Sequence, residues 1–224
     1  MPASRPSRIA VLASGRGSNL QALLDAIAGE ALDADIVGVF SDRPTAPALQ
    51  RVHESLRWSR DARGYARRED FDAELGEAVA AAQPDWIACA GYMRILGDGF
   101  VERFQGRILN IHPSLLPLYR GLRTHARALE AGDAEHGASV HFVVPELDAG
   151  AVVAQARVPV RAGDDAGALE ERVRAVEHPL LVAVMQLAAA GRLAERDATV
   201  LVDGHPLFTP LRLDSTGRLI PWTA

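Results

Sequence analysis

The chain has 224 residues, of which 48% are hydrophobic and 24% are charged, a composition typical of one large globular domain and unlike that of a disordered chain. Its 24 basic and 29 acidic side chains give a formal net charge of −5, so we expect no general binding to nucleic-acid phosphates. Every basic residue is an arginine, which excludes a Schiff-base lysine, a pyridoxal phosphate anchor and a Walker phosphate loop.

The sequence also bears on the compartment in which the protein acts. Cys89 is the single cysteine, so the chain has no internal disulfide or thiolate metal cluster, as suits a reducing compartment. The first residues contain no apolar run long enough for a signal peptide, and no later segment reaches about 20 consecutive apolar residues. We therefore expect a cytoplasmic protein that does not contact membranes.

Strand and helix patterns alternate through the first half of the chain. Residues 8–13 (RIAVLA) and 35–40 (DIVGVF) are predicted strands, and an amphipathic helix from about Ser18 lies between them after a Gly-rich turn. Residues 69–83 carry apolar side chains at helical spacing, and Pro84 ends that helix. Strands at 85–90 and 107–111 follow, with a short helix near Phe100 between them. This order predicts an open, mostly parallel, doubly wound (Rossmann-like) α/β sheet with helices on both faces.

The second half of the chain has a different pattern. Residues 139–144 and 151–160 are predicted strands, and the loop between them is too short for a helical crossover, so the pair is expected to be antiparallel. A long helix is predicted over residues 166–190, and the tail 199–222 is expected to form short strands and turns. The fold therefore acquires an antiparallel C-terminal portion.

Three loops are candidates for the functional site, because ligands of open α/β sheets bind beyond the carboxyl ends of the strands. They are residues 14–19, 91–96 and 112–121. In the first, Gly15 and Gly17 allow close backbone approach, and free N–H groups at the following helix start favour a phosphate. Leu20 stands where a dinucleotide fingerprint has glycine, which favours a monophosphate. The alternative is an ordinary strand-to-helix turn.

Asn110, His112 and Asp148 are the candidate catalytic residues. Asn110 and His112 lie two apart on a strand and face the same side, where a carboxamide and an imidazole would stabilise an oxyanion on a carbonyl carbon. Asp148 would pair with His112, raise the pKa of His112 and take part in proton transfer. The alternative interpretation is structural. Asn110 would cap the end of its strand, His112 would lie on the surface, and Asp148 would occupy a turn that favours aspartate for backbone reasons alone.

The remaining candidate residues are weaker indicators of a catalytic or metal site. Residues 90–96 (AGYMRIL) would line a flat aromatic ligand and hold a carboxylate through Arg94, or else form a solvent-facing turn. His125, His136 and His141 show no metal-ligand spacing, so no metal site is expected. Cys89 lies in an apolar strand, where a thiol is usually inert.

Taken together, these segments resemble a known family. SGRGSNLQALL, AGYMRIL, RILNIHPSLLP, HGASVHFVVPELDAG and VEHPLL occur in order between about Arg8 and Ala190. They resemble the phosphoribosylglycinamide formyltransferase (GAR transformylase) family of folate-dependent formyltransferases. The resemblance implies formyl transfer from 10-formyltetrahydrofolate to the amine of 5-phosphoribosylglycinamide (GAR) in de novo purine (IMP) biosynthesis. The attack is direct, through a tetrahedral intermediate, with the folate as cosubstrate and without a metal.

The resemblance assigns roles to particular residues. The catalytic trio is Asn110, His112 and Asp148. The GAR-binding residues are Gly17, Ser18, Asn19, Arg174, Ala175, Val176 and Glu177. The folate-binding residues are Arg68, Met93, Arg94, Ile95, Leu96, Asn110, Val144, Pro145, Glu146, Leu147 and Asp148, with Arg68 near the glutamate tail. Ser139 has a supporting role, and the Leu116–Pro117 bond matches one that is cis in the family.

The resemblance also implies an organisation for the whole chain. A single formyltransferase domain over residues 1–224 would comprise a phosphate-binding half (1–110), a catalytic and folate-binding half (111–195) and a tail (196–224). Small-molecule substrates are expected, and the chain would be a monomer or homodimer. Leu118, Arg120 and Arg123 depart from the family pattern in the loop after the catalytic strand.

Two other functions remain open at this stage. A formyltetrahydrofolate deformylase would use water in place of the amine, although the predicted phosphate loop and the lack of a regulatory domain before Arg8 argue against it. A methionyl-tRNA formyltransferase is not expected, because it would need a longer chain with a basic extension. A noncatalytic nucleotide-binding module would use the Gly-rich loop alone, leaving Asn110, His112 and Asp148 as turn residues.

Overall fold

The computed structural model describes residues 5–221. Residues 1–4, and Trp222 at the end of the predicted tail, lie outside them. The strands are β1 (Ser7–Leu12), β2 (Ala34–Ser41), β3 (Arg57–Ser59), β4 (Trp86–Cys89), β5 (Ile108–His112), β6 (Glu135–Phe142), β7 (Val152–Pro159), β8 (Leu193–Arg196), β9 (Thr199–Val202), β10 (His205–Pro206), β11 (Leu211–Leu213) and β12 (Leu219–Ile220). The helices are α1 (Ser18–Ala28), α2 (Arg68–Ala81), α3 (Asp98–Arg103), α4 (Thr124–Ala131) and α5 (Ala166–Ala189).

A nine-stranded sheet in the order β12-β11-β7-β6-β5-β4-β1-β2-β3 forms the centre of the molecule. Strands β1 to β5 are parallel to one another, whereas β6 is antiparallel to both β5 and β7. The chain builds outward from β1 to β3 and then returns to place β4 on the other side of β1. The predicted doubly wound sheet with an antiparallel C-terminal portion is therefore confirmed.

Helices cover both faces of this sheet because apolar side chains of β1 point alternately to either side. Ile9 and Val11 pack in a core with α1 and α5, and Ala10 and Leu12 pack in a second core with α2 and α3. Burial of these two apolar layers is the main term that stabilises the fold. Among the described residues, no helix is long and apolar enough to cross a membrane.

Several element boundaries differ from those predicted. The helix predicted over 69–83 is α2, which ends at Ala81 because Gln83 takes a left-handed conformation, with φ 47°, before Pro84. The strand predicted over 139–144 is β6, which begins earlier, at Glu135, and ends at Phe142. Strand β3 and helix α4 were not predicted, because β3 is very short and α4 is largely polar on its surface. In the tail, β8, β9 and β10 form a separate small sheet, while β11 and β12 extend the main one.

Candidate active site

Two of the three predicted loops meet where the strand order reverses, between β1 and β4, and the third follows β5, the strand beside β4. The Ser14 N–H donates to the Gly91 carbonyl at 3.0 Å, and the Met93 N–H donates to Ser14 Oγ at 2.9 Å. These bonds join the loop after β1 to the loop after β4. Strand β5 lies beside β4 and carries His112 at its carboxyl end. This position is where ligands bind in doubly wound sheets.

The loop of residues 14–19, called the Gly-rich loop below, presents unpaired N–H groups. Gly17 precedes α1 in a left-handed conformation, with φ 73°, and no side chain caps the helix. The N–H groups of Ser18, Asn19 and Leu20 have no hydrogen-bond acceptor within residues 5–221. Their free donors and the helix dipole favour an anion at this point.

A half-buried carboxylate and a buried amide from different elements face each other beside the Gly-rich loop. Asn19 Nδ2 donates to Glu177 Oε2 of α5 at 3.3 Å, and burial raises the pKa of Glu177. Asn19 Oδ1 is buried and has no hydrogen-bond partner among the described residues. Such an acceptor is expected where a bound ligand supplies the donor. Arg174, one turn before Glu177, pairs with Glu170. Glu177 and Asn19, which the family resemblance assigns to GAR binding, thus lie side by side.

Asn110, His112 and Asp148 converge at the carboxyl end of β5. His112 Nδ1 lies 3.4 Å from Asp148 Oδ2, and the two side chains are only 7% and 10% exposed. His112 Nε2 lies 3.0 Å from the Tyr119 carbonyl oxygen, which accepts only, so Nε2 carries a hydrogen. A second proton on Nδ1 would therefore face the Asp148 carboxylate.

The backbone fixes the position of the Asp148 carboxylate. Asp148 has a left-handed conformation, with φ 48°, and its Oδ2 accepts the Gly121 N–H at 2.9 Å. A Cβ on Gly150 would lie 1.8 Å from the Phe142 carbonyl oxygen, so only glycine fits there. The turn that links β6 and β7 is therefore shaped to hold Asp148 against the loop after β5.

His141 is a site residue that the sequence analysis placed among the less promising histidines. It pairs directly with Asn110 across the β5–β6 ladder. Its Nδ1 donates to the Phe142 carbonyl oxygen at 2.8 Å, which leaves the Nε2 lone pair to accept from Asn110 Nδ2 at 3.0 Å. Burial lowers the pKa of His141 to about 4, so the ring is neutral at pH 7. His141 therefore orients the Asn110 amide and leaves its second N–H for a ligand.

A pocket beside the trio contains most of the predicted folate-binding residues. Those that line it are Arg94, Ile95, Leu96, Asn110, Val144, Pro145, Leu147 and Asp148, together with Cys89, Tyr92, His141 and Val143. Met93 and Glu146 do not line it, and Arg68 lines a separate cavity between α2 and α3. The Arg94 guanidinium packs over the Phe71 ring at 5.0 Å, so its charge is directed toward α2.

Ser139 holds the loop after β5 through two hydrogen bonds of its side chain. Ser139 Oγ donates to the Ser114 carbonyl at 2.7 Å and accepts the Leu116 N–H at 3.0 Å. The Leu116–Pro117 bond is cis. Of the three residues of this loop that depart from the family pattern, Leu118 is 52% exposed. The other two form ion pairs, Arg120 with Glu146 and Arg123 with Glu130.

No group of histidine, cysteine, aspartate or glutamate side chains within residues 5–221 is arranged to hold a metal ion. Cys89 is buried, and burial raises the pKa of its thiol to about 12. The thiol is therefore protonated at pH 7 and is a poor nucleophile.

Buried neutral histidines make stability depend on pH. Burial lowers the pKa of His136 to about 4 from an ordinary value of 6.5, so between these values the unfolded chain binds a proton that the native chain does not. The stabilisation is present above pH 6.5 and is lost as pH falls toward 4. We expect His136→Gln to flatten the decline in the free energy of unfolding over this range, measured by urea denaturation. His53→Gln, at an exposed histidine, is the control, and an equal decline in His136→Gln and the parent protein would contradict the prediction.

Comparison with known proteins identifies relatives of the chain. The formyl transferase family model matches residues 7–185. The phosphoribosylglycinamide formyltransferase of Escherichia coli (strain K12) is 44% identical over 201 residues, which cover 89% of this chain and 95% of that protein. The structure of phosphoribosylglycinamide formyltransferase from Coxiella burnetii in complex with CHES is 43% identical, with a TM-score of 0.84, and the match covers 90% of this chain and 96% of that one. A formyltetrahydrofolate deformylase from Pseudomonas syringae is 28% identical, with a TM-score of 0.79, over 89% of this chain and 66% of that one.

Proposed function

The chain belongs to the formyl transferase family, and we propose that it transfers the formyl group of 10-formyltetrahydrofolate to the amine of GAR in purine biosynthesis. The observation that carries this proposal is the convergence of Asn110, His112 and Asp148 beside a pocket at the switch point of the sheet, next to a helix start with free N–H groups. Formyl transfer to an acceptor that carries a phosphate requires both parts, because the trio stabilises the charge that develops at the carbonyl and the free N–H groups bind the phosphate.

The reaction proceeds by direct attack of the GAR amine on the formyl carbon. The attack gives a tetrahedral intermediate whose oxygen is negatively charged. The free Asn110 amide N–H donates to that oxygen, and the positive charge of the protonated His112 ring stabilises it, which lowers the barrier. Asp148 stabilises the imidazolium and accepts, through a water molecule, the proton lost by the amine. His112 protonates the folate nitrogen as it leaves, and the proton taken up by Asp148 then passes to His112, which restores both groups.

The two substrates approach this centre from different sides. The GAR phosphate binds the N–H groups of the Gly-rich loop, and its ribose meets Glu177 and the neighbouring residues of α5. The folate occupies the pocket lined by Ile95, Leu96 and Val144, which is apolar enough for a pterin ring. The formyl-folate is consumed as a cosubstrate.

The competing function is hydrolysis of the formyl-folate, as in the deformylase that shares this fold. The free donors of the Gly-rich loop favour an acceptor that carries a phosphate over water. Release of tetrahydrofolate, followed by absorbance with and without GAR, tests the proposal. Turnover that requires GAR is the expected result. Equal release without GAR would overturn it in favour of a hydrolase, and no release under either condition would favour a noncatalytic nucleotide-binding module.

Gly17→Ala is expected to weaken GAR binding. The new Cβ would lie 2.7 Å from the Ala48 Cβ, in a left-handed conformation that alanine disfavours. We expect KM for GAR to rise by about tenfold, because the displaced N–H groups no longer meet the phosphate. Steady-state kinetics at saturating folate measures the change. Gly15→Ala is the matched control, since a Cβ there meets nothing within 4 Å; an equal effect of both variants would contradict the prediction.

A further inference from the structure

A short 3₁₀ helix after β2, Pro47–Arg51, packs against the Gly-rich loop. Within it, the Ala48 N–H donates to the Gly15 carbonyl at 3.0 Å. At its end, Arg51 Nε donates to the Arg16 carbonyl at 2.8 Å. Two successive carbonyls of the Gly-rich loop are therefore held by one element.

These two bonds determine where the N–H groups of the Gly-rich loop point. In a trans peptide the N–H lies opposite the carbonyl of the preceding residue. Because the Gly15 and Arg16 carbonyls face the 3₁₀ helix, the N–H groups of Arg16 and Gly17 face away from it. Neither of these N–H groups has an acceptor within residues 5–221, and the unpartnered, buried Asn19 Oδ1 lies at the helix start that follows. With the free donors at the start of α1, they form a row of successive N–H groups, a backbone arrangement typical of anion sites.

The Arg51 guanidinium is fixed at a second point. Its Nη1 donates to Gln21 Oε1 of α1 at 2.8 Å, and Gln21 Nε2 donates to Asp25 Oδ1, one turn later, at 2.8 Å. Both acceptors of Arg51 are neutral oxygens, and no carboxylate pairs with it among the described residues. Its charge therefore remains uncompensated beside the start of α1, where it favours a bound anion.

We propose that Arg51 is a positioning residue for the phosphate of the acceptor. It holds the Arg16 carbonyl on the side of the 3₁₀ helix, so that the Gly-rich loop presents its row of free N–H groups to the phosphate. This inference rests on the proposed function, because it takes the anion to be the phosphate of GAR. A loop that is ordered before binding loses less conformational entropy when the ligand arrives.

Arg51→Met tests this role, because methionine keeps an unbranched side chain but removes the donors and the charge. We expect KM for GAR to rise about tenfold, with kcat and KM for 10-formyltetrahydrofolate changed by less than about twofold. With glycinamide riboside, an acceptor without the phosphate, kcat/KM is expected to be unchanged. Arg63→Met is the matched control, since Arg63 also lies in a short 3₁₀ helix and its side chain is 90% exposed. It is expected to leave both acceptors unaffected.

Arg51→Lys separates position from charge. Lysine keeps the positive charge, but its ammonium cannot donate to the Arg16 and Gln21 oxygens in the planar geometry of a guanidinium, so we expect KM for GAR to rise about three- to fivefold. This variant also serves if Arg51→Met does not fold, as judged by thermal melting. Full recovery of the parent KM by lysine would assign the effect to charge alone and would contradict the positioning role.

An equal fall in kcat/KM for both acceptors, or no rise in KM for GAR, would overturn the inference. These outcomes are distinct from failure of the proposed function, which would appear in the parent protein as turnover that does not require GAR.

Discussion

Asn110→Ala is expected to lower kcat about a hundredfold, because the variant loses an oxyanion donor worth about 3 kcal/mol in the transition state. In the structure, one N–H of the Asn110 amide is taken by His141 at 3.0 Å, and the other is free for the charged oxygen. Since that charge develops only after attack, KM for both substrates is expected to change little. Steady-state kinetics with GAR and 10-formyltetrahydrofolate measures the effect.

The other asparagine of the chain offers a control for Asn110→Ala. Asn19 lies at the start of α1 and bonds Glu177, so Asn19→Ala is expected to raise KM for GAR and leave kcat nearly unchanged. Full turnover in purified, folded Asn110→Ala protein would remove Asn110 from the mechanism.

Asp148→Asn is expected to have a still larger effect and to lower kcat about a thousandfold. The carboxylate lies 3.4 Å from His112 Nδ1 and is the proposed acceptor of the proton that the amine loses. An amide in its place keeps an oxygen for the Gly121 N–H but neither supports an imidazolium nor accepts a proton. GAR affinity is expected to stay within about twofold, because the proposal places the GAR phosphate at the Gly-rich loop and not at Asp148.

Calorimetry with GAR and a kinetic assay separate the two parts of this prediction. Asp203→Asn, at an exposed carboxylate paired with Arg192 in the turn after β9, is the control for removal of a charge. Loss of GAR binding in Asp148→Asn, with turnover preserved at saturating GAR, would show that Asp148 serves binding and not chemistry.

Most of the fold could be predicted from the sequence, because its apolar runs and turn residues coincide with the observed strands and loops. The apolar runs of β1, β2, β4 and β5 are buried strands, and each is followed by a Gly, Pro or polar segment that turns the chain. Spacing of two along β5 placed Asn110 and His112 on one face, and the structure shows both at the site. The unpredicted β3 and α4 have too few residues with a clear apolar period to be recognised.

The parts of the site that escaped prediction depend on contacts between distant segments. His141 reaches Asn110 only because β6 pairs antiparallel with β5, in a register that puts the two residues opposite each other. The predicted strand over 139–144 contained His141, but its neighbour in the sheet was unknown, and only that neighbour shows its role.

The central claim is that this site moves a formyl group to an amine and not to water. The most direct measurement uses 10-formyltetrahydrofolate labelled with ¹³C in the formyl group, incubated with GAR and followed by NMR. We predict that the label appears as the formamide of the ribonucleotide product, in step with tetrahydrofolate release. Label that accumulates as free formate while GAR is unchanged would contradict the account.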